Sequence, residues 1–381
     1  MIFQIVDTNE QCRKVFVNGD FCSIDESLDI HKQCSHTWKY SSHIENLNTI
    51  PEYAFIWSRG DLNAFCPPIL EEDWEKISKR IAAIMKSVIA ASCDINNTCI
   101  YDYIPEKFLK KYLKTKEAII NSIFKTEPKP SDYQALVRAH ILAEEMNSNK
   151  NWFDGALKTT NYDIFGTKTG RLSNKKAGIP ILTMKKEDRI KLKPSNDLFV
   201  EFDFNAAEIR TLLALSKYPQ PEGDIHSWNA SVVAKGTTTR EKMKKRFFAW
   251  LYNPKAEDHM LSQYYDKAAL INNFWDGTKV TTPYGRKIRC DKDHALNYLL
   301  QSTSSDVCIE QAFRIRKIFE GCKTKVCYLL HDSVVLDFAR EDLKKFEEAR
   351  QTFGETRFGN YMVSAKLGKN FKDMTEVVCT R

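Results

Sequence analysis

The chain has 381 residues, 43% hydrophobic and 12% aromatic, which allows a sizeable core and excludes wholesale disorder. Its 57 basic and 50 acidic residues give a formal net charge of +7, which permits a polyanionic partner without demanding one. The cysteines form no CxxC pair, Met1-Ile2-Phe3-Gln4-Ile5-Val6 meets Asp7 too early for a secretory leader, and no apolar run is long enough to span a bilayer.

Reduced cysteines in a cytosol-like compartment are therefore expected, the host cytoplasm for a viral or phage-encoded chain. Length alone suggests two or three domains.

Residues 1 to 75 read as a small α+β segment of unassigned role. Its short apolar runs, Phe3 to Val6, Val15 to Val17 and Tyr53 to Trp57, are expected to be strands. His31, Cys34 and His36, with Cys12 or Cys22, match none of the usual zinc-ligand spacings and are read as scattered core residues. From Glu71 to about Asn149 the pattern turns helical, with Ile77, Ile81, Ile84 and Met85 at three- and four-residue spacing. Lys107 to Lys125 is amphipathic. Its lysines, Lys107, Lys110, Lys111, Lys114 and Lys116, form either a solvated face or a surface for backbone phosphates. Residues 126 to 131 break this helix, and another follows from Asp132 to about Met146.

Leu198-Phe199-Val200-Glu201-Phe202-Asp203 is an apolar run that ends on a carboxylate, and Ala206, Ile209, Leu212, Leu213 and Ser216 then fit one helix face. This predicts a buried strand that delivers Asp203 to its end. A second run, Val326 to Phe338, is interrupted by His331-Asp332-Ser333 and predicts a hairpin presenting Asp332. Two strands that each offer one Asp suit a two-metal site, because paired divalent ions need oxygen ligands from opposite sides. Between them Arg240, Lys244, Phe248 and Tyr252 recur at four-residue spacing. Each step drifts by only about 40°, so all four share one helix face. Cations there suit a triphosphate, and aromatic rings suit a base.

In these motifs the chain resembles the DNA polymerase I family (family A DNA polymerases) from about Thr167 to Asp373. Asp203-Phe204-Asn205-Ala206-Ala207-Glu208-Ile209-Arg210 is similar to the family's DYSQIELR. Arg240-x₃-Lys244-x₃-Phe248-x₃-Tyr252 is similar to its fingers helix, and His331-Asp332-Ser333 to its HDE. Thr169-Gly170-Arg171-Leu172-Ser173 resembles TGRLS, Asp224-Ile225-His226 resembles DIH, and Thr282-Pro283-Tyr284-Gly285-Arg286 resembles a TxxGR turn. Asn297-x₃-Gln301 resembles a primer-template segment, and Gly368-Lys369-Asn370-Phe371 a C-terminal GxNW.

The resemblance implies an α+β right-hand fold, with an antiparallel palm sheet and helical fingers and thumb. The implied division is a thumb-like region over 76–150, palm over 151–224 and 296–381, and fingers over 225–295. It implies a DNA-directed DNA polymerase binding primer-template DNA and deoxynucleoside triphosphates. Asp203 and Asp332 would hold two Mg²⁺ ions, for which Mn²⁺ can substitute. Arg240, Lys244 and His226 would hold the triphosphate, and Phe248 would stack on the base. Tyr252 would bond Glu208, which would crowd the ribose 2′ position. Arg171, Arg286, Asn297, Gln301 and His331 would lie at primer or template; for Arg171, Arg286, Asn297 and Gln301 a plain structural role stands equally.

The chain departs from the family at Ser333, where a glutamate is usual, and at Phe247 and Ala249, where Asn and Gly are usual. Asp7-Thr8-Asn9-Glu10 is not a DxE exonuclease motif, so no 3′–5′ proofreading is expected. Partners such as a separate exonuclease or processivity factor stay open, and so do two other functions. One is a single-subunit RNA polymerase, against which Glu208 and Phe248 argue. The other is a catalytically silent DNA-binding replication accessory protein, against which the retained Asp pair argues.

Overall fold

The computed structural model describes residues 1–6, 14–23, 34–44, 51–91, 99–176 and 178–377. Cys12, His31 and the Asp7–Glu10 segment lie outside the described residues. The chain forms two compact units, Met1–Tyr133 and Gln134–Arg381.

In the first unit a five-stranded sheet runs in the order Asp20–Ser23, Lys14–Val17, Ile2–Ile5, His36–Thr37, Glu52–Tyr53. Asn18 and Gly19, with φ of +54° and +84°, close the two-residue turn between its first two strands, as a type I′ hairpin demands. Helices Pro68–Ala90 and Glu106–Thr126 place Ile77, Ile81, Leu109 and Leu113 in one cluster with Val6 and Phe16. Sheet and helices on both sides of residue 75 thus share a core.

The strand expected at Tyr53–Trp57 is shorter than its apolar run. It ends at Tyr53 and passes into a helical turn, Ala54–Trp57. That turn buries Trp57 against the Phe124 and Tyr133 rings, and the indole N–H donates to the Glu127 carbonyl over 2.9 Å. Several lysines of the second helix are occupied: Lys110 pairs with Asp20 and Glu106, Lys111 pairs with Asp73, and Lys116 lies over the Trp38 ring.

The second unit mixes sheet and helix. We label its elements β1 (Leu198–Phe204), α1 (Ala207–Leu215), α2 (Arg240–Tyr252), α3 (Lys292–Ile318), β2 (Lys325–Leu330), β3 (Ser333–Phe338), α4 (Phe346–Gly354), β4 (Val363–Gly368) and β5 (Thr375–Glu376). The sheet order is β2-β3-β1-β4-β5, and every pairing is antiparallel.

Alternation along β1 decides which side is core. Phe202 and Phe204 point to one face and pack on Phe346 and Phe353, the Phe204 and Phe353 rings stacking at 4.1 Å. Glu201 and Asp203 occupy the other face. Ile225, Met243, Phe247, Trp250 and Leu270 share a second core with α1 and the first turns of α3. Phe247 is fully buried there against Tyr265, so the aromatic that departs from the family pattern fills this core. No helix among the described residues is long and apolar enough to cross a membrane.

Candidate active site

Asp203 stands near the end of β1, directly across from Ser333 on β3 and Ser364 on β4. Asp332 precedes Ser333 in the tight turn between β2 and β3. The Phe204 amide donates to the Asp332 carbonyl over 3.2 Å, so one backbone hydrogen bond holds the two aspartate-bearing segments side by side. Both turns carry strain. Ala206, just past β1, has φ +53°, and His331 has φ +54°. Non-glycine residues persist in this region only where the surroundings over-determine them, as functional sites do.

Electrostatics agree with the geometry. Burial and then the neighbouring Asp332 and Glu201 charges push the Asp203 carboxyl up to about 7, while Lys366 pulls the other way. Burial also raises Asp332. No side chain among the described residues donates a hydrogen bond to either carboxylate, and neither is ion-paired. Two uncompensated acids in one half-buried place suit a cation. Among the described residues, no group of three or more His, Cys, Asp or Glu is placed to hold a metal ion. The two aspartates supply carboxylate oxygens, the donors that hard divalent cations take.

The charges of Glu208 and Arg171 act on Asp332, and from Glu208 a chain of contacts runs to α2. Arg171 Nη2 donates to Glu208 Oε1 over 2.5 Å, and the Tyr252 hydroxyl donates to Glu208 Oε2. Tyr252 stacks on Phe248 with centroids 5.8 Å apart and planes within 4°. Phe248 meets His226 at 5.7 Å. Thr239 caps α2, and Met243, Phe247, Trp250 and Leu251 form its buried side. Arg240, Lys244, Phe248 and Tyr252 share the other, exposed to half-buried.

Asp224 organises the far end of this face. It caps the helical turn Ile225–Trp228 through the Ser227 amide at 2.8 Å, accepts from Asn205 at 2.9 Å, and takes Arg240 in two bonds of 2.8 and 3.0 Å. Burial alone would raise Asp224, but these bonds hold its carboxyl well below the usual range. Arg240, expected to hold a triphosphate, is engaged by Asp224 and also by Glu241. Lys244 is exposed and makes no ion pair among the described residues. His226 is 3% exposed and its Nδ1 has no hydrogen-bond partner among the described residues. Burial, aided by the Lys244 and Arg240 charges and opposed by Asp224, holds this imidazole down to about 4. A buried ring nitrogen left without a bond, close to two cations, fits a site completed by an anion.

Arg286, expected either at primer-template or in a plain structural role, has the position of a structural residue. It is 5% exposed and forks onto buried Asp306 through two bonds of 2.8 Å. A buried carboxylate needs such a partner, and an isolated TxxGR-like turn does not reveal one. The guanidinium also explains the glycine of the Thr169-Gly170-Arg171 motif. Gly170 has φ +76°, and a Cβ there would lie 2.4 Å from Arg286 Cζ. Arg286 thereby seats the loop from which Arg171 reaches Glu208.

Asn297 and Gln301 lie one turn apart on α3, half-buried, and no hydrogen bond among the described residues ties them to the acids. The buried Asn297 Oδ1 has no hydrogen-bond partner among the described residues. Glu201 and Lys366 were missed. Glu201 was legible as the residue two before Asp203 on the same strand face, but nothing in the sequence placed Lys366 opposite it.

No protein-family model matches the chain and no curated protein matches it. Among solved structures it is similar to the POL domain of Pol1 from M. smegmatis, in complex with DNA primer-template and dNTP. The likeness covers 92% of this chain and 70% of that one, with a TM-score of 0.49 and 12% sequence identity.

Proposed function

We propose that the chain is a DNA-directed DNA polymerase that extends a primer 3′ end with deoxynucleotides by a two-metal-ion mechanism, on a right-hand palm, fingers and thumb arrangement. The observation that supports this reading is the Asp203–Asp332 pair, held side by side by the Phe204–Asp332 backbone bond, with the charges of Glu208 and Arg171 acting on Asp332 and Glu208 bonded to Tyr252 on the helix face that also bears Lys244 and Phe248.

Asp203 and Asp332 would hold the divalent cations, which acidify an attacking hydroxyl and neutralise a leaving pyrophosphate when bound. Lys244 and His226 would bind the triphosphate, with Arg240 joining them once Asp224 releases it. Phe248 would stack on the incoming base. Glu208, held by Arg171 and Tyr252, would stand rigidly beside the sugar and exclude a 2′-hydroxyl. His331, Asn297 and Gln301 would meet primer or template, while Arg286 supports the fold. Absence of proofreading belongs to the same proposal.

Extension of a labelled primer on a defined template, with deoxy- and ribonucleotides compared, tests it. Incorporation of deoxynucleotides that needs Mg²⁺ or Mn²⁺ is expected, and preferential incorporation of ribonucleotides would replace the proposal with an RNA polymerase.

A further inference from the structure

The reading above leaves one acid of the site without a task. Glu201 lies two residues before Asp203 on β1, and a two-residue step keeps both side chains on one face of the sheet. Its partners across the strands are Val335 on β3 and Lys366 on β4. Ser333 Oγ donates to Glu201 Oε1 over 3.2 Å, with the Leu330 carbonyl a longer alternative at 3.4 Å. Lys366 Nζ lies 3.5 Å from Glu201 Oε2. The Ser333 side chain, which carries no charge of its own, therefore sits against a carboxylate supplied by the neighbouring strand.

We propose that Glu201 and Lys366 are a charge-setting pair for the cation site, Glu201 strengthening cation binding at Asp203 and Asp332 and Lys366 restraining it. The inference rests on the two-carboxylate reading of the site. Glu201 is a positioning residue here and not one of the ligands, in keeping with the lack of a three-ligand cage among the described residues. It acts through its field and through Ser333, which borders Asp203 in register.

The charges make the argument directional. Three carboxylates against one ammonium leave this face at a formal −2. Glu201→Gln reduces that charge and keeps an oxygen for the Ser333 hydroxyl. Lys366→Met increases it. Both substitutions break the same ion pair, so a merely structural role would move cation affinity the same way in both. A field effect moves it in opposite ways.

Mn²⁺ binding to the full chain without DNA or nucleotide, followed by calorimetry, reads this directly. The dissociation constant is expected to rise about tenfold in Glu201→Gln and to fall severalfold in Lys366→Met, within the usual range for residues behind metal ligands. The Mg²⁺ concentration for half-maximal primer extension should move in the same two directions. Equal affinities in all three proteins, or a shift of the same sign in both variants, would overturn the proposal. Opposite shifts in Mn²⁺ affinity without any primer extension by the wild type would sink the polymerase reading and leave the charge pair standing.

Discussion

Phe204 and Asp332 are joined across the end of the central sheet, the amide of one donating to the carbonyl of the other over 3.2 Å. Asp203 immediately precedes Phe204, so this bond fixes the spacing of the two acids through the backbone rather than through their side chains. The carboxylates stay free for a ligand, and their mutual repulsion remains as a cost to the folded chain.

That cost has a sign and a pH range. Asp203 in the folded chain titrates near 7 against an ordinary 3.8. The folded state thus binds its proton more tightly than the unfolded state, and stability falls as pH rises across that window. Asp203→Asn removes the penalty. In metal-free buffer at pH 8 the variant is expected to be more stable than wild type by about 1 to 3 kcal/mol. The gain should shrink as pH falls below about 7. Urea unfolding at the two pH values measures it, and a variant less stable than wild type at pH 8 would refute the electrostatic account.

Protons and divalent cations compete for the same oxygens. Mn²⁺ affinity is accordingly expected to weaken as pH drops from 8 to 6, by up to about tenfold for each proton displaced per pH unit. Affinity that stays flat over this range would place the bound ion elsewhere.

Gly170 and Arg286 should be intolerant for one shared reason. Gly170→Ala combines a left-handed backbone with a Cβ 2.4 Å from Arg286 Cζ. Asp306→Ala removes the carboxylate onto which the buried guanidinium forks. Each is expected to cost about 3 to 5 kcal/mol, the usual penalty for breaking a buried ion pair. Thermal unfolding tests this, and losses below about 1 kcal/mol would argue against a structural role for Arg286.

Glu208 should govern sugar choice. Glu208→Ala empties the place between Arg171 and Tyr252 and is expected to relax discrimination against ribonucleotides by about 10- to 100-fold. Competitive incorporation of dNTP and rNTP measures the change. An unaltered ratio would leave Glu208 as a structural partner of Arg171 and Tyr252.

The legible parts of this chain were those where a local pattern and the tertiary environment agree. Leu198–Asp203 and the Val326–Phe338 hairpin read correctly because apolar runs stop at carboxylates, and the four-residue spacing of Arg240 to Tyr252 survives as a solvent-facing stripe. The apolar run at Tyr53–Trp57 has no such period, and packing of Trp57 against Phe124 and Tyr133 decided for a helical turn. For Arg286 the sequence left a nucleic-acid contact and a structural role equally open, because a surface cation and a buried one look alike until Asp306 is seen beside it. The engagement of Arg240 by Asp224 and of Glu201 by Lys366 depends on pairings distant in sequence, which no spacing rule exposes.

Primer extension by wild type and by Asp203→Asn, with deoxynucleotides and Mg²⁺ on a defined template, bears most directly on the central claim. Template-directed extension by the wild type is expected, reduced about 1000-fold or more in the variant while both bind primer-template DNA equally. Equal extension by the two proteins would contradict the site assignment, and no extension by either would contradict the proposed activity.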